Sequence, residues 1–295
     1  MQHSDIITKV SSSFDNALKT GDLLFFPSTV ENHIEADVEY QIRLCPALQN
    51  KPVLPTPHFE IKNLKYDPFA PPYNANLLVG ELKDVESQEE FVVLLNKYAV
   101  VPRHFLLVTK GGDNSGASQA HKHIQFIPLD GDDGPPIERV ARRTQLEHQD
   151  RPFSLTQLAY ASHTYRFPSR LDTYPPEQLE ALLANAFLQL LDLTISTIRH
   201  DPDYPAGSPS YNVIITLDHL HIIPRRQENY ILQESGDKLS VNALGYAGML
   251  LVKSEEELEI VKRETIGKIL RGVGLASVHD LQVEGTSLEA PLAGL

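Results

Sequence analysis

"SGASQAHKHIQFIPL", residues 115–129, sets two histidines one residue apart between a small polar run and an apolar one. On a β-strand, residues i and i+2 share a face, so His121, His123 and Gln125 form one polar row while Lys122 and Ile124 turn the other way. A polar row beside "FIPL" needs a reason, because a buried polar group costs free energy unless it is hydrogen-bonded. Three readings compete. The pair could ligate a metal, although further ligands must come from elsewhere and neither Cys-x-x-Cys nor His-Glu-x-x-His is present. The two could be ordinary strand histidines: the chain has twelve, and His219-x-His221 reads that way. Or a neutral imidazole could attack phosphorus, its other nitrogen held by an acceptor such as a backbone carbonyl. The third reading needs donors for phosphate oxygens, and "SGASQ" (115–119) supplies small residues, hydroxyls and a carboxamide in a turn of the kind that nests anions.

Working outward, "HFLLVTK" (104–110) and "HIQFIPL" (123–129) read as strands on either side of the turn formers in "GGDNSG" (111–116). "DVEYQIRL" (37–44) alternates as a strand does, and "NLLVGEL" (76–82) is a short apolar strand. Between them, "CPALQNKPVLPTP" (45–57) is kept extended by its prolines. Near the start, Ile6, Ile7, Val10, Phe14 and Leu18 fall near helical spacing. "DGDDGPP" (130–136) is the best boundary in the chain. Past it, "PPEQLEALLANAFLQLLDLTISTI" (175–198) predicts a long helix with a Pro-Pro start and early glutamates. "SPSYNVIITLDHLHIIPRR" (208–226) predicts two strands around a turn at Asp218. "SEEELEIVKRETIGKILRGVG" (254–274) predicts one final helix capped by Ser254. Strand–turn–strand pairs with separate helices make the fold class α+β. The outlines "HFLLVTK…HKHIQFIPL" and "YNVIITLDHLHIIPR" are similar, as a duplicated half-domain would be.

Composition bounds the function. A net charge of −13 over 295 residues argues against a nucleic-acid or anionic-membrane surface. It leaves a small polyphosphate open, since a few cations and backbone amides suffice to bind one. The single cysteine, Cys45, excludes a disulfide framework or a cysteine-rich zinc site within one chain. With no signal-peptide core and no apolar run of about 20 residues, the expected location is the cytoplasm.

The motif resembles the signature of the ATP adenylyltransferase (diadenosine tetraphosphate phosphorylase) family. That family belongs to the histidine-triad superfamily, in the branch that holds galactose-1-phosphate uridylyltransferase. "CPALQNKP", "DPFAPPYNANLLVGEL", "NKYAVVPRHFLLVTK", "SYNVIIT" and "VNALGYAGMLLVKSEEELE" also resemble family blocks, in the same order. The resemblance implies a histidine-triad-like antiparallel sheet with flanking helices, built from two related halves. Residues 1–130 would form the catalytic half and 131–295 the second, the two packed as one compact unit. It implies His123 as nucleophile, His121 as its same-face neighbour and Gln125 as the contact to the transferred phosphate. Gly116, Ala117, Ser118 and Gln119 would form an amide cradle, with Lys51 and Lys110 as phosphate cations. Asn76, Asn212 and Thr216 are weaker nucleotide contacts. The implied reaction turns diadenosine tetraphosphate and phosphate into ATP and ADP, reversibly, through AMP held on His123. Its partners are those small nucleotides and phosphate, with no nucleic acid and no membrane. No covalent cofactor or protein-bound metal is expected, though a divalent cation such as Mg2+ has room to accompany the nucleotide. The oligomeric state is not read from the sequence.

Two departures stand out. Only "GGDN" separates "HFLLVTK" from "SGASQ", where the resemblance implies a helix and another core strand; a true deletion there predicts an impaired fold. His219 and His221 stand in "DHLH" where aromatic residues are usual, which weakens adenine stacking by that segment. A hexose-1-phosphate uridylyltransferase is the alternative enzyme, disfavoured by Lys122 in place of proline and by the lone cysteine. A low-turnover nucleotide-binding sensor is the alternative of another class.

Overall fold

The computed structural model describes residues 3–49, 69–84, 87–111, 121–129, 131 and 133–277. In chain order the elements begin with α1 (His3–Thr20), β1 (Leu24–Phe25), β2 (Thr29–Glu35), β3 (Val38–Leu44) and β4 (Leu78–Lys83). Next come β5 (Glu90–Leu95), β6 (Tyr98–Ala99), β7 (Phe105–Thr109), β8 (His123–Phe126), α2 (Pro136–Arg143), β9 (His163–Arg166) and α3 (Pro176–Arg199). The chain then runs through β10 (Tyr211–Ile215), β11 (His219–Pro224), β12 (Asn229–Ile231), β13 (Lys238–Ser240) and α4 (Ala243–Tyr246). It closes on β14 (Met249–Val252), α5 (Glu255–Glu264) and α6 (Ile266–Val273). The architecture is α+β, and the chain forms two compact units: residues 1–29 with 45–130, and residues 30–44 with 131–295.

In the first unit, β4, β5, β7 and β8 form an antiparallel sheet in that order. The period-2 pattern of its strands splits the apolar residues between two faces. Val79, Val93, Leu95 and Phe105 lie in one cluster with Ile6, Val10, Phe14 and Ala17 of α1. Ile7 and Leu18, expected on the buried stripe, are exposed, because the stripe follows Ile6, Val10, Phe14 and Ala17 instead. On the other face Val92, Leu94, Leu106 and Val108 pack with Phe69, Tyr73 and Leu78. β7 and β8 are direct neighbours, with Val108 opposite His123 and Leu106 opposite Gln125. That register leaves no place for a strand between them; residues 112–114 of the short "GGDN" connection lie outside the described residues.

In the second unit, β3 is the middle strand of the order β14-β3-β2. It alternates buried and half-buried along its whole length, and it pairs in parallel with β14 from Met249↔Gln41 to Val252↔Leu44. This pairing is why residues 30–44 leave the 1–130 half in which the sequence places them. Ala36 and Asp37, joining β2 to β3, both have positive φ (49° and 63°), the conformation that tight two-residue hairpins need. The core of this unit gathers Tyr40 and Ile42 with Ile137 and Val140 of α2, Tyr160, Tyr246, and Ile266, Ile269 and Leu270 of α6.

A second sheet, β10-β11-β9, is antiparallel throughout. α3 covers it through Ala186 and Leu190, which meet Tyr165, Phe167, Leu220 and Ile222. By length and composition alone α3 is apolar enough to cross a membrane, with a mean hydropathy of 1.5 over its best window. It is here the cover of a sheet.

The single helix expected over 254–274 is two. Ser254 does cap α5, its hydroxyl accepting from the Glu257 N–H at 3.0 Å. At Thr265 the backbone turns to φ 69°, a region a β-branched residue rarely adopts, and α6 starts at the next residue. Its first two N–H groups, from Ile266 and Gly267, donate to the Glu35 carboxylate at 2.7 and 2.9 Å. A carboxylate at a helix N-terminus satisfies otherwise orphaned donors and complements the helix dipole.

Candidate active site

Of the polar row expected on β8, His123 and Gln125 lie two residues apart in the strand, opposite Val108 and Leu106, while His121 stands ahead of it. His121, just ahead of the strand, is 5% exposed, and its Nδ1–H donates to the Thr109 carbonyl of β7 at 2.6 Å. His123 opens β8 half-buried, with Nδ1 3.3 Å from the His121 carbonyl oxygen and its ring 5.1 Å from that of Phe69. A carbonyl can only accept, so the proton of neutral His123 sits on Nδ1 and the Nε2 lone pair is left free. Catalytic hydrogen bonds are often this long before substrate arrives. Nε2 makes no hydrogen bond among the described residues. Gln125 is exposed, and its carboxamide oxygen lies 2.9 Å from His104 Nε2.

The other residues expected at the site are distributed differently. Lys51, Gly116, Ala117, Ser118 and Gln119 lie outside the described residues. Lys110 follows β7, but its ammonium is held by Glu81 at 2.8 Å and Glu90 at 3.2 Å. These bonds raise its pKa. Asn76 is tied to Asp22, donating from Nδ2 at 2.7 Å, in a network that also takes in Asn74 and Asn16. Asn212 and Thr216 belong to the second unit. The Asn212 amide nitrogen is buried with no hydrogen-bond partner among the described residues. The Thr216 hydroxyl donates to Glu138 at 2.7 Å. Among the described residues, no group of three or more His, Cys, Asp or Glu side chains is arranged to hold a metal ion.

The second histidine pair, on β11, is buried around Glu138, with His221 Nε2 left without a hydrogen bond among the described residues. His219 Nδ1–H donates to Glu138 at 2.8 Å, while Arg166 donates to His219 Nε2 at 2.9 Å. His221 Nδ1 pairs with the Thr164 hydroxyl at 2.9 Å, and its Nε2 lies 3.8 Å from the other Glu138 oxygen, an ionic rather than a bonding distance. Burial alone would raise the Glu138 carboxyl, yet His219, His221 and Thr216 ranged on its oxygens hold it well below the usual carboxylate range. His221 is lowered by its own burial, against the pull of Glu138. The two His-x-His segments therefore differ in kind. One leaves a half-buried ring nitrogen without a hydrogen bond among the described residues; the other is closed around a carboxylate. Sequence reasoning missed Glu138, His104, Asn96 and Phe69, since none sits in a recognisable spacing relative to a histidine pair.

Comparison with known proteins bears out the family resemblance. Residues 1–111 match the model of the Ap4A (diadenosine tetraphosphate) phosphorylase N-terminal domain, and residues 156–276 that of the ATP adenylyltransferase C-terminal domain. The chain belongs to the Ap4A phosphorylase family. Among its curated relatives, diadenosine 5',5'''-P1,P4-tetraphosphate phosphorylase 2 of Saccharomyces cerevisiae is 25% identical over 311 residues, covering 88% of this chain and 90% of the relative. Protein APA1 of the same yeast is 24% identical over 324 residues, covering 92% and 94%. The crystal structure of yeast Ap4A phosphorylase Apa2 superposes with a TM-score of 0.73 at 22% identity, over 94% of this chain and 100% of that one. At that identity the superposition establishes a shared fold.

Proposed function

We propose that this chain phosphorolyses diadenosine tetraphosphate to ATP and ADP through an adenylyl-histidine formed on His123. The family assignment gives the substrate class, and the observation that carries the residue assignment is the polarity of the His123 ring. Its Nδ1 faces the His121 carbonyl, so the Nε2 lone pair is the free one. In the first step that lone pair attacks the α-phosphorus; the N–P bond forms, the bond from α-phosphorus to the bridging oxygen breaks, and ATP leaves. In the second step an oxygen of inorganic phosphate attacks the same phosphorus, the N–P bond breaks, ADP forms and Nε2 recovers its lone pair. Run backwards, the steps join ATP and ADP into the dinucleotide.

Charge builds on the phosphoryl oxygens in both steps, and fixed donors stabilise it. Gln125, on the His123 face of β8, supplies a carboxamide N–H. Gly116, Ala117, Ser118 and Gln119 are assigned to the amide cradle, and Lys51 to the cationic role. Lys110 is the weaker cation, because two carboxylates already share its charge. Asn76 and Thr216 are likewise committed to Asp22 and Glu138, whereas Asn212 keeps a spare donor. A divalent cation such as Mg2+ travels with the polyphosphate, and the reaction belongs to the cytoplasm and to the histidine-triad chemistry the motif resembles.

Incubation with diadenosine tetraphosphate, with and without inorganic phosphate, followed by nucleotide chromatography tests the proposal. ATP and ADP formed only with phosphate is the expected result. AMP and ATP without phosphate would make the enzyme a hydrolase, and binding without turnover would make it a sensor.

A further inference from the structure

A carboxamide is nearly symmetric in shape and opposite in polarity at its two ends. Gln125 can therefore stabilise a phosphoryl oxygen only if its N–H end faces the phosphate; with the oxygen end forward it would repel the charge it is meant to bind. Something must fix the rotation. We propose that His104 is a positioning residue for adenylyl transfer, holding the Gln125 carboxamide oxygen so that the amide N–H groups face the reacting phosphate. This rests on the reaction proposed above.

The polarity is set by a chain of contacts that starts at a backbone N–H. The Tyr98 N–H can only donate, and it donates to Asn96 Oδ1 at 3.0 Å. Asn96 is thereby fixed with its nitrogen, a pure donor, against the His104 ring, 3.1 Å from Nδ1 and 3.4 Å from Nε2. The nearer ring nitrogen, Nδ1, becomes the acceptor, and the single proton of a neutral ring goes to Nε2. His104 Nε2–H then donates to Gln125 Oε1 at 2.9 Å. Gln125 Nε2 is left with no hydrogen bond among the described residues.

The frame around this chain is buried and hydrogen-bonded. His104 is 7% exposed, and its carbonyl accepts from the Asn96 N–H at 3.0 Å, closing the connection between β5 and β7. Leu106, two residues along the same face, stands opposite Gln125 in the β7–β8 register. Burial holds the His104 pKa below the ordinary histidine value, against the Gln125 bond, so at neutral pH the ring keeps one proton and one tautomer. Nothing in the spacing of Asn96, His104 and Gln125 along the chain announces this; the sheet register creates it.

The test is a double-mutant cycle on steady-state phosphorolysis of diadenosine tetraphosphate. His104→Leu is expected to lower kcat about 10- to 100-fold with KM changed by less than about twofold, as for the loss of an aligned donor that acts in the transition state. In a Gln125→Ala background the same substitution should have no further effect. His104→Gln, whose amide N–H reaches the place of Nε2–H, should recover kcat to within about threefold of wild type. Should His104→Leu fail to give a folded protein, Asn96→Ala enters the same chain one link earlier. It predicts a smaller loss in kcat that also vanishes with Gln125→Ala. Losses that multiply with that of Gln125→Ala, or that appear in KM alone, overturn the positioning role. A wild-type enzyme that makes no ATP and ADP from the dinucleotide overturns the reaction itself, a different result.

Discussion

His163 gives the second unit a measurable dependence on pH. It lies on β9 opposite Ile222 of β11, 5% exposed, with Nε2 2.9 Å from the Thr197 hydroxyl of α3. Burial lowers its pKa from 6.5 to about 4. The unfolded chain therefore takes up this proton near pH 6.5 while the folded chain resists it. Above pH 6.5 both states are neutral and the group contributes nothing. As pH falls from 6.5 towards 4, the unfolded state is favoured. Linkage over that window gives a loss of about 2.5 kcal/mol by pH 4.5 and a limit of about 3.5 kcal/mol below pH 4. His163→Gln keeps a polar group of similar reach and cannot titrate. The chain has no tryptophan, so urea unfolding followed by far-UV circular dichroism is the suitable assay. The stability of the variant relative to wild type should improve by about 2.5 kcal/mol between pH 7.5 and pH 4.5. Taking the difference at each pH removes the other titrating groups, including His221 and Glu138. A difference that is the same at both pH values refutes the reasoning.

His123→Ala should abolish formation of ATP and ADP, while His221→Ala, which disturbs only the sealed cluster around Glu138, should lower stability but retain turnover per folded molecule; chromatographic product analysis would expose equal losses as contrary to this site. Glu35→Ala should cost about 1–2 kcal/mol, since it strips a charged cap from α6. Hydrogen exchange at Ile266 and Gly267 should then quicken, and unchanged protection there would contradict the capping role.

The strands were legible because their signal is local. "DVEYQIRL" alternates, and β3 buries the residues that the alternation marks; "HFLLVTK" and "HIQFIPL" likewise fall on β7 and β8. The shared face of His123 and Gln125 follows from the same period of two. What the sequence hides is whatever depends on residues far apart. The break at Thr265 cannot be read from 254–274, where the spacing favours one helix, because the carboxylate that starts the new helix comes from Glu35. Glu138 carries no signal of its own in the sequence, and it becomes the centre of a buried network only when β11 brings two histidines to it. Lys110 read as a free cation because Glu81 and Glu90 reach it across β4 and β5, through pairings no spacing displays.

The parallel pairing of β3 with β14 has a consequence during synthesis. Gln41 meets Met249, so β3 emerges from the ribosome about two hundred residues ahead of the strand that completes it. At about 5–20 residues per second, a segment whose alternate side chains are all destined for a core waits on the order of 10–40 s for its partner. Contacts of such long range are slow to form and leave strand edges open to other chains. The first unit is interrupted by this same waiting segment, so a chain cut at residue 130 would strand β3 on the wrong fragment and leave β14 with a bare edge.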